Sequence, residues 1–238
     1  MNDLLALAVD AHGGLQQWNK FQKVTVHMLV KGALWPAKGQ DGVISDSWFE
    51  SELRRQATRY IDFQKPGQEA IFQPGKVAII DHGSPVEELS NPRASFEGHV
   101  FGTPWSRLQL VYFGSYAMWA YLGIPFLFTL PGFESKEIAP WHEGGETWRR
   151  LHVSFPKDFA YHTREQVFYF DEHGLLKRLD YQVDINEGVA AAHYVFDYKE
   201  FQGIRLPTRR LVYARNPDGS YAREPLVVRN DLVEVKFS

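Results

Sequence analysis

Nine histidines and no cysteine limit the chemistry open to this 238-residue chain. Without a thiol there is no disulfide framework, no thiol nucleophile, and no Cys-held zinc or iron–sulfur cluster. The histidines stand at positions 12, 27, 82, 99, 142, 152, 162, 173 and 193, and no two have the spacing of a metal site. His142-Glu143 opens like the HExxH zinc motif, but Glu146 stands where the second histidine is required. Gly13-Gly14 lacks the rest of a nucleotide-binding fingerprint, and there is no GxSxG nucleophile elbow. No metal and no cofactor are expected from these patterns.

Two polar groupings remain. Arg178, Asp180, Gln182 and Asp184 alternate along one late strand, and His193, Asp197 and Lys199 follow on the next. If the registers allow, Asp180 and His193 approach each other and form an acid–base pair. The plainer reading is a solvated outer face with charges paired across strands. His162 and Arg164 lie in a loop-to-strand stretch, so both are expected at the rim of a sheet, where function often sits. Arg209 and Arg210 are neighbours on a strand and point to opposite faces, and nearby opposite charges account for them more simply than an anion site.

These residues need a frame. A composition of 44% hydrophobic and 23% charged residues is globular, and a net charge of −3 lacks the basic excess of a nucleic-acid binder. No linker or repeat divides the chain, which reads as one domain over residues 1–238. Helical spacing over residues 2–11 ends at Gly13-Gly14, a left-handed C-cap signal. About eleven segments then show strand alternation, separated by turn formers such as Gln73-Pro74-Gly75 and Asn216-Pro217-Asp218-Gly219. Connections this short favour an antiparallel meander. The first ten residues carry Asp3 and Asp10 and no Lys or Arg, and Leu4 to Val9 is too short for a signal peptide. A cytoplasmic protein is expected, unless a leader has been removed.

One segment breaks the β pattern. From Phe101 to Phe133 there is a single charged residue, Arg107, and ten aromatic residues. Thr103-Pro104 reads as a helix start, with Thr as N-cap, and Gly123 and Pro125 as the stop, giving a helix over about 103–122. Pro125, Pro131 and Gln109 interrupt the apolar run, so no transmembrane span is expected. The helix carries two stripes, Leu108, Val111, Ser115, Met118 and Leu122 beside Trp105, Gln109, Tyr112, Tyr116 and Trp119. One stripe is enough to dock on a sheet. The second calls for more core, a homodimer interface or a bound hydrophobic molecule.

The N-terminal helix ending at Ala11-His12-Gly13-Gly14, then Trp18 and a first strand from Val24 to Gly32, is one half of a pattern. Asp197-Tyr198 to Phe201, Gly203, Ile204 and Pro207-Thr208-Arg209 are the other. Together they resemble a bacterial branch of the outer-membrane lipoprotein-sorting (LolA/LolB-like) superfamily. The resemblance covers most of the chain. It implies a mainly β (α+β) fold, a single strongly curved antiparallel sheet or incomplete β-barrel with helices covering the concave side. It also implies a hydrophobic cavity, since members of that superfamily hold acyl chains there.

The leading expectation is a non-enzymatic binding protein for a hydrophobic small molecule or acyl chain. Trp105, Tyr112, Tyr116, Trp119, Phe126 and Phe128 are its candidate ligand-lining residues. His162, Arg164, Asp180 and His193 are the candidate polar groups should the protein instead be an enzyme acting on an apolar substrate.

Overall fold

The computed structural model describes residues 2–238. α1 (Asp3–Ala11) is capped by the Asn2 side chain, which accepts from the Leu5 N–H at 2.8 Å, and it buries Leu4, Leu5, Ala8 and Val9. After α2 (Gly14–Trp18) comes β1 (Lys23–Lys31), whose strict alternation buries Val24, Val26, Met28 and Val30. The short helix α3 (Leu34–Ala37) leads into a meander. It comprises β2 (Asp46–Glu52), β3 (Thr58–Ile61), β4 (Gln68–Gln73), β5 (Lys76–Asp81) and β6 (Ser84–Ser90). α4 (Arg107–Gly123) separates this from a second meander. That one runs through β7 (Glu134–Glu143), β8 (Glu146–Ser154), β9 (Glu165–Phe170), β10 (Leu176–Val183), β11 (Val189–Phe201), β12 (Ile204–Ala214) and β13 (Val228–Phe237).

All thirteen strands form one antiparallel sheet in the order β6-β5-β4-β3-β2-β1-β13-β12-β11-β10-β9-β8-β7. The two meanders join where β1 pairs with β13, Val24 opposite Phe237 and Val30 opposite Asn230. The sheet curves but does not close, because β6 and β7 each have one neighbour. The expected single curved antiparallel sheet is therefore present, and it is not closed into a barrel. Alternation in the sequence supports eleven strands, and the two beyond that count are these edges. Both contain a proline, Pro85 and Pro140, both carry several charges, and both are bulged or irregular in register. Those are the devices that blunt an exposed edge, and they also erase the apolar alternation by which a strand is recognised.

α4 lies against the concave face, packed on β2, β3, β4, β5 and β6. It starts three residues later than Thr103-Pro104 suggests. Ser106 is the N-cap: its hydroxyl accepts from the Gln109 N–H, and the Gln109 side chain accepts from the Ser106 N–H at 2.9 Å. This reciprocal capping box outcompetes the Thr-Pro signal. Residues 103–105 lie outside the helix, with the Trp105 N–H donating to the Lys38 carbonyl. The helix ends after Gly123, with Pro125 just beyond. Apart from half-buried Leu108, both of its stripes are buried, so its lack of charge is that of a helix enclosed on nearly all sides. No described helix is long and apolar enough to cross a membrane.

Gly114 marks the tightest contact between α4 and the sheet. A Cβ there would sit 2.3 Å from the Tyr60 hydroxyl oxygen. Tyr60 is itself buried, with Phe49 and Phe63 against its ring. Gly114→Ala should therefore force α4 off β3 and cost about 1–3 kcal/mol, read as a lower urea midpoint. Gly114→Ala combined with Tyr60→Phe, which removes the clashing oxygen, should recover most of that loss.

Candidate functional site

Aromatic and aliphatic side chains fill most of the space between α4 and the sheet, but they leave a cavity of about 270 Å³. Its walls come from β1 (Met28, Val30), α3 (Leu34, Trp35), α4 (Phe113, Gly114, Ala117, Met118, Tyr121) and the strands β10 to β13. Depth can be read along the strands. On β12 the lining residues pass from exposed Ala214 through Val212 to buried Arg210; on β11 they pass from Ala191 to His193. On β13 they pass from half-buried Val228 to buried Asn230. The mouth is ringed by Phe101, Ala214, Pro225 and Val227, and Arg210, His193 and Asn230 sit one or two inward positions deeper.

Lys38 braces the mouth. It is fully buried, its ammonium donating to the Phe101 carbonyl and to Asn186 Oδ1 at 2.7 Å, over the face of Trp105. This ties the segment before α4 to the turn after β10 and sets Phe101 at the opening.

Behind the cavity runs a hydrogen-bonded chain of rings. Tyr116 meets His162 Nδ1 at 3.1 Å, and Tyr121 meets His162 Nε2 at 2.8 Å. Tyr121 and Tyr181 are 3.0 Å apart, and Tyr181 reaches His193 Nδ1 at 3.4 Å. His162 also stacks flat on Tyr181, 4.2 Å between centroids. Burial, with a small contribution from Arg93, pulls His162 down to about 3. Burial also pulls His193 well below its ordinary value, helped by the charge of Arg210. Both rings are neutral at physiological pH, and burial raises the phenols of Tyr116 and Tyr181 well above theirs.

The expected site residues divide unevenly. Trp105 lines the cavity. Tyr112 packs against Phe72 and Phe96, Trp119 against Phe159, Phe126 flat on Trp18, and Phe128 against Phe168. Tyr116 belongs to the ring chain. The cavity-facing side of α4 is a third stripe, Phe113, Ala117 and Tyr121, with Gly114 and Met118 beside it. Small residues are what leave space, and a search for aromatic lining overlooks them.

Among the polar candidates, Asp180 and His193 lie on opposite faces of the sheet. The register pairs Leu179 with His193 and Asp180 with Ala192, so the expected acid–base pair does not form. Arg164 is half exposed and paired with Glu165. His162 is not a rim residue but part of the core. Only His193 reaches the cavity wall. Asp180 is not solvated either: it grips Arg178 through two bonds, 2.6 and 2.9 Å, beneath Tyr169 and Tyr194 on the convex face. That buried outer cluster, which includes Trp148, is a second small core.

No protein-family model matches the chain, and no curated protein matches it. Solved structures do. A LolA superfamily protein from Nitrosomonas europaea superposes with a TM-score of 0.53 at 9% identity, over 98% of this chain and 92% of that one. The chain has a LolA-like fold. A DUF1329 family protein from Desulfovibrio piger gives 0.54 at 12% identity, over 99% and 92%. A domain assigned to outer membrane lipoprotein sorting, from Vibrio parahaemolyticus, gives 0.47 at 10%, over 96% and 93%. The LolA-like fold overturns one expectation drawn from the N-terminal residues: the cytoplasmic location does not stand. The homodimer reading also loses its basis, since the aromatic stripe offered as an interface is buried within the chain.

Proposed function

We propose that this protein holds a hydrophobic small molecule or a single acyl chain in the cavity between α4 and β10 to β13. One observation carries the reading: a core this rich in large rings leaves about 270 Å³ unfilled, behind the mouth ringed by Phe101, Ala214, Pro225 and Val227. Native interiors pack to the density of organic crystals, so a void of this size stands apart. An engineered apolar cavity of about 150 Å³ takes benzene, which scales to a ligand of roughly ten to twelve heavy atoms here. The LolA-like fold supports the same class of ligand, hydrophobic or lipid, without specifying one.

Ala117 and Ala191 are small residues on facing walls. Ala117→Phe should fill the space between them. Binding of 1-decanol, followed by isothermal titration calorimetry, should be saturable in the unchanged protein and weakened at least about tenfold in Ala117→Phe, a loss of about 1.4 kcal/mol. Circular dichroism should show the same fold in both. Equal binding by the two proteins would place the ligand elsewhere and overturn the reading.

A further inference from the structure

Two arginines are buried among the described residues, Arg178 and Arg210. Arg178 is saturated, bonded to Asp180, Glu143, Tyr194 and the Gly219 carbonyl. Arg210 is not. One Nη2 hydrogen goes to the Tyr121 carbonyl at 2.7 Å, while Nε and Nη1 have no partner. No described carboxylate lies within 4.0 Å of it, although its neighbour Arg209 has both Asp197 and Asp231. Burial lowers Arg210 to about 10, so it still carries its charge at neutral pH. A buried cation without a counter-charge is among the most costly features a fold can hold.

Its surroundings are short of acceptors. His193 Nε2 also lacks a partner, and it is a donor in the tautomer in which Tyr181 donates to Nδ1. Asn230 Oδ1, on the strand position opposite Arg210, is a bare acceptor. It is neutral and supplies no counter-charge. All three residues line the cavity at its deep end.

We infer that the cavity takes a single-chain carboxylate amphiphile head first. Its carboxylate lies on Arg210 and His193, and its alkyl chain runs past Val212, Val228 and Leu34 toward the mouth. This rests on the cavity-binding reading and adds the head group and its orientation. One unpaired guanidinium matches one negative charge, and a carboxylate accepts from several N–H groups at once. Phe101, Ala214, Pro225 and Val227 at the mouth suit the chain and not the head.

Calorimetry with decanoate, 1-decanol and decyl phosphate separates the outcomes. Decanoate should bind at least about tenfold more tightly than decanol to the unchanged protein. Arg210→Met should remove that preference, weakening decanoate at least about tenfold more than it weakens decanol. Carboxyl-labelled decanoate adds a reading that needs no variant: its bound ¹³C resonance should stay that of the ionised form below the pH at which free decanoate protonates. Equal affinity for decanoate and decanol, or tighter binding of decyl phosphate, would overturn the carboxylate assignment and leave the cavity reading standing. Binding of none of the three would overturn both.

Discussion

Lowering the pH from 7 to 5 should remove about 6 kcal/mol of folding stability, roughly 2 kcal/mol for each of three buried histidines. His12 is buried under α1, donating Nδ1–H to the Ala8 carbonyl at 2.7 Å, and burial pulls it down to about 4. Burial pulls His162 down to about 3 and His193 well below the ordinary 6.5. The sign follows from the direction. In the unfolded chain these rings take up protons near pH 6.5, and in the folded chain they cannot until far lower. Between those limits the unfolded state binds more protons, so stability is complete above 6.5 and falls as the pH drops toward 4 and 3. Set against a typical total of about 5–15 kcal/mol, the loss is large. Urea unfolding at pH 7, 6 and 5 measures it. An unchanged stability at pH 5 would mean that the rings accept protons in place, contrary to their burial.

Replacing Arg178 with Met should cost about 3–5 kcal/mol. The side chain is wholly buried, with its guanidinium over Tyr169, Trp141 and Tyr194 at 5.1 to 5.5 Å. Removing it leaves Asp180, also buried, facing only the Tyr169 hydroxyl at 2.8 Å and Arg215 at 3.5 Å. Most of the cost is that stranded carboxylate, not the lost attraction. Arg178→Met with Asp180→Leu should therefore recover at least half of the loss, because an apolar pair of similar volume restores packing without charge. The urea midpoints of the single and double variants test this. A single variant within about 1 kcal/mol of the parent would mean that the convex cluster is solvated enough to release Asp180 to water.

Much of the fold was legible. Val24 to Val30 alternate, turn formers separate the strands, and Leu4, Leu5, Ala8 and Val9 define the N-terminal helix; local chemistry fixes each of these. The edges β6 and β7 were not, because proline and charge protect an edge by removing the pattern that signals a strand. The site was legible only in its region. The uncharged segment identified α4, but which of its faces meets the cavity depends on where the helix rotates against Tyr60, a contact fixed by Gly114. Register decided the rest. Alternation places Asp180 and His193 on strands, yet pairing Leu179 with His193 sends them to opposite faces. From sequence Arg210 reads as an ordinary paired charge, because alternation does not show which side chains surround it. Its missing carboxylate is visible only when both flanking strands are in place.

The most direct test of the cavity is crystallographic. Crystals grown with 10-bromo-1-decanol and measured at the bromine absorption edge locate the halogen without reference to the phases of the protein. A single anomalous peak enclosed by α4, β1 and β11 to β13, in contact with residues such as Val30, Ala117 or Val212, is the expected result. Side chains repacked to close the space, with bromine only on the outer surface, would contradict it.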